Sequence, residues 1–194
     1  MTPAQITRFQ TKIKKYRTAL TTERAKFGCY DDSGGKRYKI LELYISIANY
    51  DGALIYLRWF FKNFSDDAGF PFFWVESCLT YFHTNKLAEA RTMAFNAFKT
   101  NPYIWEVFFT GTATELIDIK PRSNWEGIAL AFELPYRATQ EKYFEFASWL
   151  QSTLTESKMQ HLIKQYFELT RKLAVAPVGL ERTKLVQMLS ALKA

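Results

Sequence analysis

Two short turns constrain this chain more than anything else in it: Asn49-Tyr50-Asp51-Gly52-Ala53-Leu54 and Asn85-Lys86-Leu87-Ala88-Glu89-Ala90. Each joins two apolar-periodic segments of helix length, and their alanines, Ala53 and Ala90, stand 37 residues apart. A period of that length is the signature of stacked αα-hairpins, units that cannot bury an apolar face alone and so pack on their neighbours. The segments around the turns predict helices over 36–48, 52–64, 71–84 and 87–100. Another begins with Pro102, capped by Asn101, and further helices follow over 125–134, 139–153, 157–174 and 179–193. The breaks fall at 65–69, at 120–124, and at Pro135 and Pro177, where helices are expected to end.

The first helix is predicted over 3–27. Ile6, Phe9, Ile13, Tyr16, Leu20 and Phe27 alternate at three and four residues, which draws an apolar stripe on one helical face. Thr2 is the expected N-cap and Pro3 occupies the first helical position, where a missing N–H costs nothing. The stripe must cover something, and residues 28–35 form a loop long enough for the helix to fold back beside 36–48, leaving Arg8, Lys12, Lys15 and Arg17 in solvent. Only 8 Gly and 6 Pro in 194 residues are too few for a strand-and-turn fold. The sequence therefore predicts one all-α domain, mostly helix and without a sheet. It reads as an N-terminal amphipathic helix (1–27), αα-hairpins (36–135) and C-terminal helices (136–194).

The segment from Trp74 to Pro102 carries a finer pattern: Trp74, Tyr81 seven residues on, Ala90, Ala97 and a closing Pro102. In this it resembles the tetratricopeptide repeat family, in which small residues let helices approach and large ones fill the space beside them. The resemblance spans residues 36–102; beyond that, Gly127 and an early Pro135 put the register out of step. It implies a short solenoid with a concave groove that binds a peptide or protein segment. In the family pattern the inward positions map to Tyr38, Lys39, Glu42, Ile45 and Ser46 in the first hairpin. In the second they map to Phe72, Val75, Glu76, Leu79, Phe82 and His83.

Little in the sequence points to catalysis. Gly34-Gly35-Lys36-Arg37, opening a helix, could hold an anion on exposed backbone N–H groups. It is not a nucleotide loop, because Tyr30 and Arg37 stand where such a loop needs glycine and a hydroxyl residue. The pairs Asp31-Asp32 and Asp66-Asp67 sit in turns, where aspartate caps helices. Two histidines and two separate cysteines, Cys29 and Cys78, make neither a zinc set nor a nucleophile with its base. No cofactor and no metal are expected. The aromatic load of 17 Phe, 11 Tyr and 5 Trp is dense around residues 56–74, so some of Trp59, Phe61, Phe72 and Phe73 must meet a second element or a partner.

The net charge of +7 is uneven: residues 1–27 carry +6, residues 158–194 carry +5, and the middle −4. Basic ends admit nucleic acid or an anionic surface as partners, beside the reading of plain solvated helix faces. Two readings follow. One is a non-enzymatic scaffold, monomeric and cytoplasmic, that binds a protein or peptide. The other is a nucleic-acid-binding protein working through its basic terminal helices. No apolar run reaches the length of a membrane span, and the N-terminus is not that of a signal peptide.

Overall fold

A computed structural model describes residues 1–30, 34–116, 119 and 121–194. Among the described residues the chain is 73% helix, with ten α-helices and no strand. It divides into two compact units, residues 1–90 and 91–194. No helix is long and apolar enough to cross a membrane, among the described residues.

In the first unit, α1 (Pro3–Phe27) begins where its local chemistry dictates. Thr2 and Gln5 form a capping box, side chain to backbone in both directions, with Pro3 at the first turn. Gly28 ends it in the left-handed region, φ 73°, returning its N–H to the Arg24 carbonyl. α2 (Lys36–Ser46) runs antiparallel to α1, because Lys36 meets Glu23 and Arg17 meets Tyr44. Ile13 and Leu20 of the apolar stripe are buried, Ile6, Phe9 and Tyr16 are half-buried, and Arg8, Lys12, Lys15 and Arg17 are exposed. Phe27, the last residue of the stripe, is exposed, so the part covered from within the chain runs from Ile6 to Leu20.

α3 (Tyr50–Asn63) follows a turn in which Asn49 accepts from the Gly52 N–H at 2.9 Å. α4 (Pro71–His83) packs against both α2 and α3, and every residue over 73–81 is buried. Such a helix can carry Ser77 and Thr80 inside because each hydroxyl donates to the carbonyl four residues back, at 2.7 and 2.8 Å. The aromatics sort themselves within this unit. Phe60 and Phe73 meet at 4.4 Å between centroids, Phe61 stacks on Trp74, and Trp59 lies between Tyr56 and Tyr30. α5 (Leu87–Thr100) passes from one unit into the other; Ala90 is fully buried and its carbonyl accepts the Cys78 thiol at 3.2 Å.

The second unit holds α6 (Ile104–Thr110), α7 (Ile128–Phe132), α8 (Phe144–Thr155), α9 (Ser157–Val175) and α10 (Leu180–Ala191). Its core gathers Trp105, Phe108 and Phe146, and Phe98 packs edge-on against Tyr166 of α9. The helix expected over 125–134 is interrupted. A 3-10 turn, Asn124–Glu126, precedes Gly127, and α7 starts after it. The cause lies elsewhere in the chain: the Asn101 amide donates to the carbonyls of Trp125 and Gly127 at 2.8 and 3.0 Å and takes them out of helical pairing. Likewise 139–153 begins as a 3-10 turn, Glu141–Tyr143, before α8. The helix expected from Pro102 begins at Ile104, with Asn101 Oδ1 accepting from the Tyr103 N–H.

Candidate binding surface

The positions singled out in the first hairpin fall on α2, and their exposure divides them. Lys39 and Glu42 are exposed and Ser46 half-buried, at the spacing i, i+3, i+7 that keeps them on one helical face. Tyr38 is half-buried at the start of that line, and Ile45 is buried. Ser46 is turned in on its own helix, its hydroxyl donating to the Glu42 carbonyl at 2.8 Å.

On α4 the six positions share one face, yet only its ends are open. Phe72 and Phe82 are half-buried and His83 is exposed; Val75 and Leu79 are fully buried and Glu76 is 4% exposed. A ligand following α4 would touch Phe72 at one end and Phe82 with His83 at the other, and nothing between. Each end belongs to an aromatic group. Phe72 meets Phe70 at 4.9 Å, and Phe70 meets Tyr38 at 6.2 Å, so α2 and α4 share that corner. His83 stacks on Tyr50 at 4.0 Å, with ring planes 20° apart, and touches Phe82 edge-on. Tyr50 and Phe70 were not among the residues drawn from the repeat pattern, because one opens α3 just after the turn and the other caps α4. An aromatic residue at a hairpin turn is the signal that could have found Tyr50.

The glycine-rich loop comes out differently from a bare anion cradle. Gly35 adopts φ 62° and opens α2 without a side-chain cap. Both cations beside it already face carboxylates: Lys36 Nζ lies 2.6 Å from Glu23, and Arg37 Nε lies 2.8 Å from Asp67. Asp67 also accepts from the Tyr38 hydroxyl and from the Gly69 N–H at 2.7 Å, with only 7% of its side chain exposed. Burial, with the Asp67 carboxylate it donates to, pushes the Tyr38 hydroxyl up to about 12. Arg37, Tyr38 and Asp67 therefore form a clamp that fastens the loop before α4 to the start of α2. Asp66 is exposed beside it. The Asp31-Asp32 pair and Ser33 lie outside the described residues.

Of the two cysteines, Cys29 is exposed and Cys78 buried, and burial pushes the Cys78 thiol well above its ordinary value, keeping it protonated. Among the described residues no cluster of three or more His, Cys, Asp or Glu could hold a metal ion. Compared with protein families, curated proteins and solved structures, the chain matches none.

Proposed function

We propose that this protein is a non-enzymatic, tetratricopeptide-like interaction scaffold that takes an extended peptide across the exposed faces of α2 and α4. The observation that carries the reading is the line Lys39, Glu42 and Ser46 on α2, flanked by aromatic groups at both ends of α4. A cation and an anion one helical turn apart would set the register of a peptide's charges, while Phe72 and Phe82 offer half-buried rings as anchors. The reading is supported by the packing of α4 against both α2 and α3, since repeat architectures build a binding face from stacked helices.

The test is selection from a random peptide library on the purified protein, followed by titration of the selected peptides. A Lys39→Ala, Glu42→Ala, Phe82→Ala variant should lose at least about tenfold in affinity, about 1.4 kcal/mol. Unchanged affinity in that variant removes the groove reading.

A second reading has an observation of its own. Arg8, Lys12 and Lys15 are exposed at i, i+4 and i+7, one basic face along α1. Phosphate backbones would bind such a face without sequence preference and release it steeply with salt. An electrophoretic shift of mixed RNA or DNA at about 50 mM salt, lost at higher salt, is the result this reading requires.

A further inference from the structure

The second unit contains a cleft of about 300 Å³ lined by Pro121, Arg122, Thr170, Leu173, Ala174 and Arg182. Its two guanidinium groups come from separate elements, the segment before the Asn124–Glu126 turn and α10. Internal acceptors hold each of them in place on one edge. Arg122 is tied to Glu126, Nε at 2.9 Å and Nη2 at 2.6 Å, and its Nη2 also reaches the Tyr166 hydroxyl at 3.4 Å. Arg182 donates through Nη1 to the carbonyls of Leu173 and Ala176 at 2.7 and 3.2 Å, closing the end of α9. A guanidinium has five N–H donors, so both keep donors beyond these bonds, in fixed positions.

Thr170 supplies a second, independent observation. It is 3% exposed, and its hydroxyl, which makes no hydrogen bond of ordinary geometry, lies near the Tyr166 hydroxyl and favours its ionised form. Threonine in a helix uses two side-chain conformations, and one turn about its first torsion exchanges methyl and hydroxyl. Cationic neighbours lie near Arg122 as well as Glu126. Lys99 is held below its ordinary value, first by burial and then by Lys193 and Arg122.

We propose that this cleft is a binding site for a phosphate group, either free or at the end of a small molecule, with Arg122 and Arg182 on the phosphoryl oxygens and the Thr170 hydroxyl as a further donor. Phosphate suits the site because paired guanidiniums match its several oxygens and its double charge. The volume lies at the small end of ligand sites, and Pro121, Leu173 and Ala174 give an attached organic group an apolar wall. A nucleic-acid backbone tracks across a surface, whereas a cleft of about 300 Å³ suits a single phosphate group or a small molecule. This inference stands apart from the α2–α4 surface, since none of its residues belongs to the first unit.

Calorimetric titration of the full chain with inorganic phosphate and with phenyl phosphate, at constant ionic strength, tests it. Wild type should bind at least one of them. Tighter binding of phenyl phosphate assigns the site to a phosphorylated small molecule, and equal binding assigns it to free phosphate. Arg182→Gln should weaken binding about tenfold or more, as the loss of a charge-assisted contact does. Because Arg182 also closes α9, Thr170→Val is the decisive variant. It should weaken binding severalfold while the melting temperature without ligand stays close to that of wild type. Absence of heat with both probes overturns the proposal, as does equal binding by wild type and both variants. So does binding of a single-stranded oligonucleotide alone.

Discussion

Gly69 and Trp74 are packed so closely that no β-carbon fits between them: one built on Gly69 would lie 2.2 Å from the indole Cε2. The same indole donates through Nε1 to the Ala68 carbonyl at 3.1 Å, so the loop and the first turn of α4 are locked by one side chain. Gly69 also sits at φ +72°, in the left-handed region. Gly69→Ala therefore meets two costs, about 1–2 kcal/mol for the backbone and about 1–3 kcal/mol for overpacking. Gly28 has nearly the same φ, +73°, with nothing within 4 Å of a built β-carbon. Gly28→Ala should show only the first cost. Urea unfolding midpoints of the two variants separate backbone strain from steric exclusion; equal shifts would mean that Trp74 moves aside.

Ala90 is fully buried, and its carbonyl accepts the Cys78 thiol from α4. Two helices pass there at a distance set by a methyl group. Ala90→Leu is expected to destabilise by about 1–3 kcal/mol, because the added atoms force the helices apart or the side chain out of its rotamer. A melting temperature unchanged within error would show that Ala90 is not at a close helix contact, and with it the 37-residue register would fail.

These residues also show what could be read in advance. The start of α1 was legible because its signal is local: Thr2, Pro3 and Gln5 sit within one turn. The stripe of Ile13 and Leu20 was legible because periodicity names the buried face. Periodicity does not say how much of a face stays open, and so Val75 and Leu79, drawn as groove positions, turn out buried. The break at Gly127 was invisible for another reason. It is made by the Asn101 amide, 24 and 26 residues away from the carbonyls it holds. The Arg37–Asp67 clamp, which engages a cation otherwise suited to an anion, likewise joins residues 30 positions apart.

Alkaline pH should destabilise the fold. Tyr38 and Tyr166 are both pushed up to about 12, each by burial first; Asp67 adds to the effect at Tyr38, while Arg122 opposes it at Tyr166. Burial raises Tyr50 and Tyr81 as well. Between the ordinary value of 10.0 and about 12, the unfolded chain has lost protons that the folded chain retains. The unfolded state then binds fewer protons, so stability falls as pH rises through that window. Lys99, depressed by burial, acts in the opposite sense below its ordinary 10.5. Absorbance of tyrosinate against pH should show a late-ionising group of tyrosines, and urea midpoints should decline over the same range. Tyr38→Phe should make that decline shallower. An equal slope in the variant would mean that Tyr38 ionises as it does in the unfolded chain.

Removal of residues 1–27 tests how the first unit is held together. α1 runs antiparallel along α2, with Leu20 fully covered, Ile13 5% exposed, and the Lys36–Glu23 pair at 2.6 Å beside them. A partly exposed ion pair of this kind contributes little, so the attachment rests on apolar burial. Each large side chain brought out of water contributes about 1.5–3 kcal/mol. Without α1, apolar surface of α2 would face solvent, on a chain that has also lost six of its net positive charges. The truncated protein should therefore aggregate, while the full chain sediments as a monomer. A full chain that sediments as a dimer, together with a soluble monomeric truncation, would make the stripe an oligomerisation face and overturn its assignment to α2.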